Sequence, residues 1–152
     1  MKKLLLLSLP LFMMIGIMAY SLHARGASLC IRNNGVAAVG ALHYNVTLAV
    51  TPAEWERGLS GTPQLPADEG MLFLFPDAAV RSFWMKDMRY PLDIVWIDGK
   101  WEVVGIAHHA TPESYPKTFT SPEGVQRVLE IASTDDSESP VRIGDVVHFN
   151  CL

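Results

Sequence analysis

Arg57, Trp84, Lys86, Asp93 and Glu130 are the side chains whose types and neighbours could do chemistry in this chain. Side chains alternate along a strand, so a strand through Ser82 to Lys86 would turn Ser82, Trp84 and Lys86 to one side and Phe83 and Met85 to the other. Asp93 opens the next apolar run, which places Lys86 and Asp93 at the mouth of one expected hairpin. If Arg57 and Glu130 reach the same place, an aromatic floor with mixed charges results. Such a patch suits a small polar ligand, for instance a sugar or a peptide fragment. The plainer reading of Lys86 and Asp93 is a cross-strand ion pair that orders a turn, worth about 0.2–1 kcal/mol if exposed. Trp84 taken alone is more often a core residue than a ligand platform.

Catalytic readings have less behind them. There is no Gly-x-Ser-x-Gly elbow, and no nucleophile stands beside a histidine at a recognisable spacing. The one enzymatic alternative is a small cell-envelope hydrolase using Asp93 or Glu130, two acids that could in principle form the carboxylate pair of glycoside cleavage. His108 and His109 are adjacent, so on a strand they point to opposite faces and lack a third ligand. No metal site and no cofactor is expected, and no Gly-rich phosphate loop is present.

The elements that must position these residues are short. Gly70–Lys100 holds three apolar runs, MLFLF, SFWM and LDIVWI, separated by Pro76-Asp77, Pro91 and Asp98-Gly99. Aromatic and β-branched runs bounded by turn formers read as strands. Upstream, Ser28–Asn33 and Val36–Val50 read as strands joined at Asn33-Asn34-Gly35. Thr51-Pro52-Ala53-Glu54 is a capping box with proline at the first helical position, and Gly58 and Gly61 end the short helix it starts. Trp55 and Leu59 should pack inward and Glu56 should face solvent. Arg57 would be either a solvated cation at the helix end or the rim of a pocket.

Thr62–Glu69 is a Pro-rich loop, and Trp101–Ala107 returns from the Asp98-Gly99 turn. Thr111–Pro122, with three prolines, reads as an irregular crossing. Val125–Ile131 and Val146–Phe149 are the last strands, separated by the acidic stretch Ser133–Pro140. The expected fold is mainly β, a sandwich or barrel of about eight short strands with one short α-helix near residues 52–59. Crossover helices are lacking, which excludes a parallel α/β sheet.

Residues 1–24 stand apart. Lys2 and Lys3 precede Leu4–Leu22, a run without charge. Its length falls between a signal-peptide core of about 7–15 residues and a membrane span of roughly 20. Cleaved signal and retained single anchor are both open, and either exports the domain formed by residues 28–152. The expected location is therefore extracytoplasmic, or periplasmic, with membrane contact only through residues 4–22. Loss of Lys2 and Lys3 would take the net charge of -4 to -6, which argues against nucleic acid as a partner. Cys30 and Cys151 are the two cysteines, near the ends of the domain. An exported pair reads as a disulfide closing a loop of about 120 residues, worth about 5 kcal/mol in the chain-entropy account. A monomer is expected.

The order of motifs resembles the DUF192 family, a domain of unknown function. The resemblance rests on Thr51-Pro-Ala-Glu54 with Glu56-Arg57-Gly58-Leu59, and on Glu69-Gly70-Met71-Leu72-Phe73-Leu74-Phe75-Pro76. It continues through Phe83-Trp84-Met85-Lys86, Pro91-Leu92-Asp93-Ile94, Val128-Leu129-Glu130 and Gly144-Asp145. It covers about Val46 to Phe149, and it implies a small, mostly β, commonly exported or membrane-tethered domain without an assigned reaction. Two departures stand out: Ser60 where the family usually has Met, and Asp87-Met88-Arg89-Tyr90 where it usually has Asn-Thr. The function expected is a non-catalytic extracytoplasmic binding or interaction module for a small polar ligand or envelope component.

Overall fold

The computed structural model describes residues 33–133 and 139–152. Among these residues nine strands and one α-helix follow one another: β1 (Asn34–Val39), β2 (Leu42–Ala49), α1 (Pro52–Arg57), β3 (Glu69–Ala79), β4 (Ser82–Trp84), β5 (Leu92–Ile97), β6 (Val103–Ala110), β7 (Thr118–Thr120), β8 (Val125–Ala132) and β9 (Val147–Cys151). Seven strands form one sheet in the order β6-β5-β8-β3-β2-β1-β9, and β4 pairs with β7 separately. The sheet curls until its edges meet at one end. There Val103 N–H donates to the Asp145 carbonyl at 2.9 Å and Val147 N–H to the Trp101 carbonyl at 2.8 Å. The mainly β, barrel-like expectation holds.

Closure divides the apolar residues into two clusters. Inside the curl lie Val39, Val46, Leu72, Val95, Leu129 and Ile131 with their neighbours. Outside, on the outer face of β3, β5 and β8, lie Phe73, Ile94, Trp96 and Val128, covered by α1 and by the β4–β7 pair. Strand β5 has no exposed residue, because β6 and β8 flank it and both of its faces are covered. Continuous apolar character in LDIVWI is the sequence mark of such a strand.

Several local expectations are corrected. The first hairpin turns at Gly40-Ala41, since Val39 pairs with Leu42. Gly40 takes φ 59, and positive φ at the first turn position is what a two-residue hairpin of this kind needs. Asn33-Asn34-Gly35 is therefore no turn between strands; Gly35 sits within β1, opposite Cys151. The expected strand from Ser28 lies almost wholly outside the described residues, as do Cys30 and most of the Ser133–Pro140 loop. Pro76-Asp77 does not end its strand. It lies where β3 runs from Leu74 to Ala79 against only Arg127 to Val125 of β8, a bulge that tolerates a residue without an N–H. One parallel pair exists after all, β2 with β3, joined across α1. The Thr111–Pro122 crossing holds a 3-10 turn at Pro112–Ser114 and then β7, which supplies β4 with its partner.

Among the described residues no helix is long and apolar enough to cross a membrane.

Candidate functional site

The helix end is the first piece of the site. The capping box forms as its residues dictate: Thr51 Oγ1 accepts from Glu54 N–H, and Glu54 Oε2 accepts from Val50 and Thr51 N–H at 2.9 Å each. These bonds to the charged carboxylate hold Glu54 below the ordinary carboxylate range. Trp55 Nε1 donates to the Ala49 carbonyl at 2.9 Å and its ring packs 5.0 Å from Phe75. The helix is thereby pinned to the sheet with Arg57 exposed at its last position. Gly58 follows with φ 49 and ψ -133, a conformation that side chains strongly disfavour. A Cβ there would meet the Phe73 ring at 3.3 Å and Glu130 Oε2 at 3.8 Å. Gly58→Ala should therefore destabilise the fold by about 1–3 kcal/mol, read as a lowered midpoint in urea unfolding.

Below Gly58 opens a pocket of about 410 Å³, inside the range of small-molecule sites. Its walls are Trp55, Phe75, Phe83 and Trp84, with Arg57 at the rim and Glu130 among the lining. The rings support one another: Phe73 meets Phe83 edge-on at 4.8 Å, and Phe83 meets Trp96 at 5.5 Å. Trp84 keeps 42% of its surface exposed, which is unusual for a residue flanked by a well-packed core. Alternation along β4 is as expected, with Phe83 and Met85 turned in and Ser82, Trp84 and Lys86 out.

Glu130 is 4% exposed, and burial pushes its carboxyl up to about 8. Its Oε2 is buried without a hydrogen-bond partner. Arg81 also lines the pocket. Its Nη2 is held by the Asp77 carboxylate at 3.0 Å and its guanidinium lies 4.1 Å over Phe75, yet its Nε is buried and unpartnered. Two of the three buried, unpartnered side-chain atoms among the described residues thus belong to this one pocket. Buried polar groups are normally paired, so two unpaired atoms in one cavity are exceptional.

The third such atom is Asp93 Oδ2, and it lies elsewhere. In the ladder, Glu130 pairs with Ile94 and Asp93 with Ile131. Paired residues share a face and successive residues do not, so the two acids project from opposite sides of the sheet. Glu130 belongs to the outer pocket, whereas Asp93 is fully buried on the inner side, near Tyr44. Tyr44 is raised above the usual phenol range by burial first and by the Asp93 charge second. The carboxylate pair needed for glycoside hydrolysis is not formed.

Lys86 does not pair with Asp93 either. Asp93 Oδ1 accepts from His108 Nδ1 at 2.8 Å and from His109 N–H at 3.0 Å. These two histidines form a bulge opposite Asp93, with His109 at φ 50. Lys86 is exposed, with its Nζ 6.0 Å from the Trp84 ring centroid. Of the five expected residues the fold therefore assembles three, Arg57, Trp84 and Glu130, with Lys86 just outside and Asp93 apart. Arg81 was not anticipated. A lone arginine ahead of a strand carries no signal until the β3 bulge aims it. No group of three His, Cys, Asp or Glu able to hold a metal ion occurs among the described residues.

The DUF192 family, described as uncharacterized ACR, matches residues 35–149. The chain belongs to the DUF192 family. Two solved structures carry the same fold. One, from Sinorhizobium meliloti and described as a suggested transcription regulator, is 30% identical over 78% of this chain and 95% of its own, with a TM-score of 0.71. The other, a protein of unknown function from Novosphingobium aromaticivorans, is 29% identical over 75% and 83%, with a TM-score of 0.69. No curated protein matches.

In this DUF192 chain, hydrogen bonds tie the segment after Gly58 to the Lys86–Tyr90 loop beside the pocket. Ser60 Oγ donates to the Lys86 carbonyl at 2.8 Å and Gly61 N–H to the Asp87 carbonyl at 3.0 Å. Thr62 and Tyr90 share a hydrogen bond through their hydroxyls. Ser60 and Met88 both line the pocket.

Proposed function

We propose that this domain is a non-catalytic binding module whose outer pocket, between α1 and the β4–β7 pair, takes a small polar ligand. The observation that carries the reading is the coincidence of unpartnered buried polar atoms on Glu130 and Arg81 with half-exposed Trp84 in one cavity. A glycoside hydrolase that pairs Asp93 with Glu130 is not carried forward, because they stand on opposite faces of the sheet.

The four tryptophans provide the test. Trp55 and Trp84 line the pocket, Trp96 packs behind it, and Trp101 stacks on Phe149 in the other cluster. A screen of small polar fragments followed by indole N–H signals should shift Trp55 and Trp84 and leave Trp101 still. Fragments that move Trp101 alone, or a complete screen that moves none, would defeat the proposal. Trp84→Ala should weaken any hit about tenfold or more while costing only about 1 kcal/mol of stability, since much of the ring stays exposed.

The reading includes an exported or membrane-tethered location, periplasmic or otherwise extracytoplasmic, through residues 1–24. A Cys30–Cys151 bridge fits that location. Supporting it, Gly35 pairs with Cys151 and Leu152 N–H reaches the Asn34 carbonyl at 3.3 Å, so the chain leading back from Asn34 begins beside Cys151. Alkylation of the denatured protein should add no mass before reduction and two labels after it. Reduction should cost roughly 2–5 kcal/mol of stability. A DNA-binding role, which the description of the Sinorhizobium protein would suggest, sits poorly with a net charge of -4.

A further inference from the structure

We infer that the ligand is a small organic anion with an apolar body: its acid group meets Arg57 and Arg81 Nε–H, its body lies against Phe83 and Trp84, and a second oxygen faces Glu130. This rests on the pocket reading and names the chemical class it takes.

Three groups around the pocket ask for an acceptor. Arg57 is exposed at the rim and has no ion pair among the described residues, whose salt bridges are Arg81–Asp77 and Asp93–His108. Arg81 has spent Nη2 on Asp77, but its buried Nε–H remains a donor without an acceptor. Glu130 is the less obvious third. With its carboxyl raised to about 8 it holds its proton at neutral pH, so it presents an O–H rather than a charge. A buried neutral acid is a hydrogen-bond donor, and it suits a hydroxyl, ether or carbonyl oxygen.

The opposing charge is Glu56, also in the lining, but it lies on exposed helix surface where solvent screens it. Arg81 and Lys86 place positive charge on aromatic faces, at 4.1 Å from Phe75 and 6.0 Å from Trp84. A ligand cation would compete with them for those faces. An anion meets no such competitor.

Three probes of one shape separate the classes: 4-hydroxyphenylacetate, its neutral amide 4-hydroxyphenylacetamide, and the cation tyramine. Titrated into the full chain at pH 7 by NMR, the acid should bind about tenfold or more tighter than the amide, and tyramine weakest. Arg57→Ala should remove most of the preference for acid over amide. Raising the pH from 7 to 9 should weaken the acid in the wild type, as Glu130 loses its proton. Glu130→Gln, which keeps a donor, should bind the acid with no such pH dependence.

Tightest binding by tyramine would overturn the anion and leave the pocket standing. So would acid affinity that is indifferent to Arg57→Ala. If none of the three binds while polar fragments still shift Trp55 and Trp84, the class is wrong and the pocket right. If neither experiment moves those signals, both fall together.

Discussion

Asp93→Ala is expected to lower the stability of the domain by about 1–3 kcal/mol, the cost of leaving the His109 N–H and the half-buried His108 ring without their acceptor. For a domain of this size that corresponds to a midpoint roughly 4–12 °C lower. The cause is local. Asp93 has no exposed surface, and one of its oxygens serves both the His108 ring and the His109 N–H. That bonding holds the bulge by which β6 pairs with β5 despite an extra residue. Asp93→Asn keeps an oxygen acceptor of the same shape and should cost clearly less. Thermal unfolding of the two variants beside the wild type makes the comparison. Equal and small losses would mean that Asp93 does not hold the bulge. Where the Asp93 variants remain folded, the pocket should bind unchanged, because this carboxyl faces the opposite side of the sheet.

The second large effect concerns Glu130 and pH. Its carboxyl titrates at about 8 in the folded protein against an ordinary 4.5. Between those values the folded state retains a proton that the unfolded chain gives up. Stability therefore falls as pH rises from about 4.5, and the loss is complete above about 8. At 1.36 kcal/mol per unit, attenuated by relaxation around the charge, this is on the order of 3 kcal/mol. Glu130→Gln cannot ionise and should lose that slope. Urea unfolding at pH 5, 7 and 9 should show the variant gaining on the wild type at each step and surpassing it at pH 9. Parallel curves for the two proteins would show that Glu130 titrates normally. A leucine in its place would pack without this cost in stability.

Much of the architecture was readable because it rests on local chemistry. The Thr51–Glu54 capping box, the Asp98-Gly99 turn and the alternation of Ser82–Lys86 each depend on residues a few positions apart. Asp98 Oδ1, for instance, accepts from Lys100 and Glu102 N–H at 2.8 and 2.9 Å. What escaped was long-range. Lys86 and Asp93 look like neighbours across a hairpin, but β4 pairs with β7 and β5 with β6 and β8. The distant segment Thr118–Thr120 competes successfully for β4, and nothing near Ser82 announces it. The opposition of Asp93 and Glu130 depends on register between two strands more than thirty residues apart in sequence, and a shift of one residue would reverse it. Asn33-Asn34-Gly35 misled because it is the stronger turn signal by composition, while Gly40-Ala41 wins by placing Val39, Tyr44 and Val46 on the buried side. Arg57, Trp84 and Glu130 were found from residue type. Their convergence was not derivable, because it depends on the curl of the sheet bringing α1 over β8.

Native mass spectrometry of the intact protein purified from its own cells tests the central claim most directly, with Trp84→Ala and Arg57→Ala prepared in parallel. The pocket account predicts a species of added mass on the wild type that is diminished in both variants, while all three proteins remain folded. Added mass retained undiminished by both variants, or a bare wild-type protein under conditions that preserve weak complexes, would contradict it.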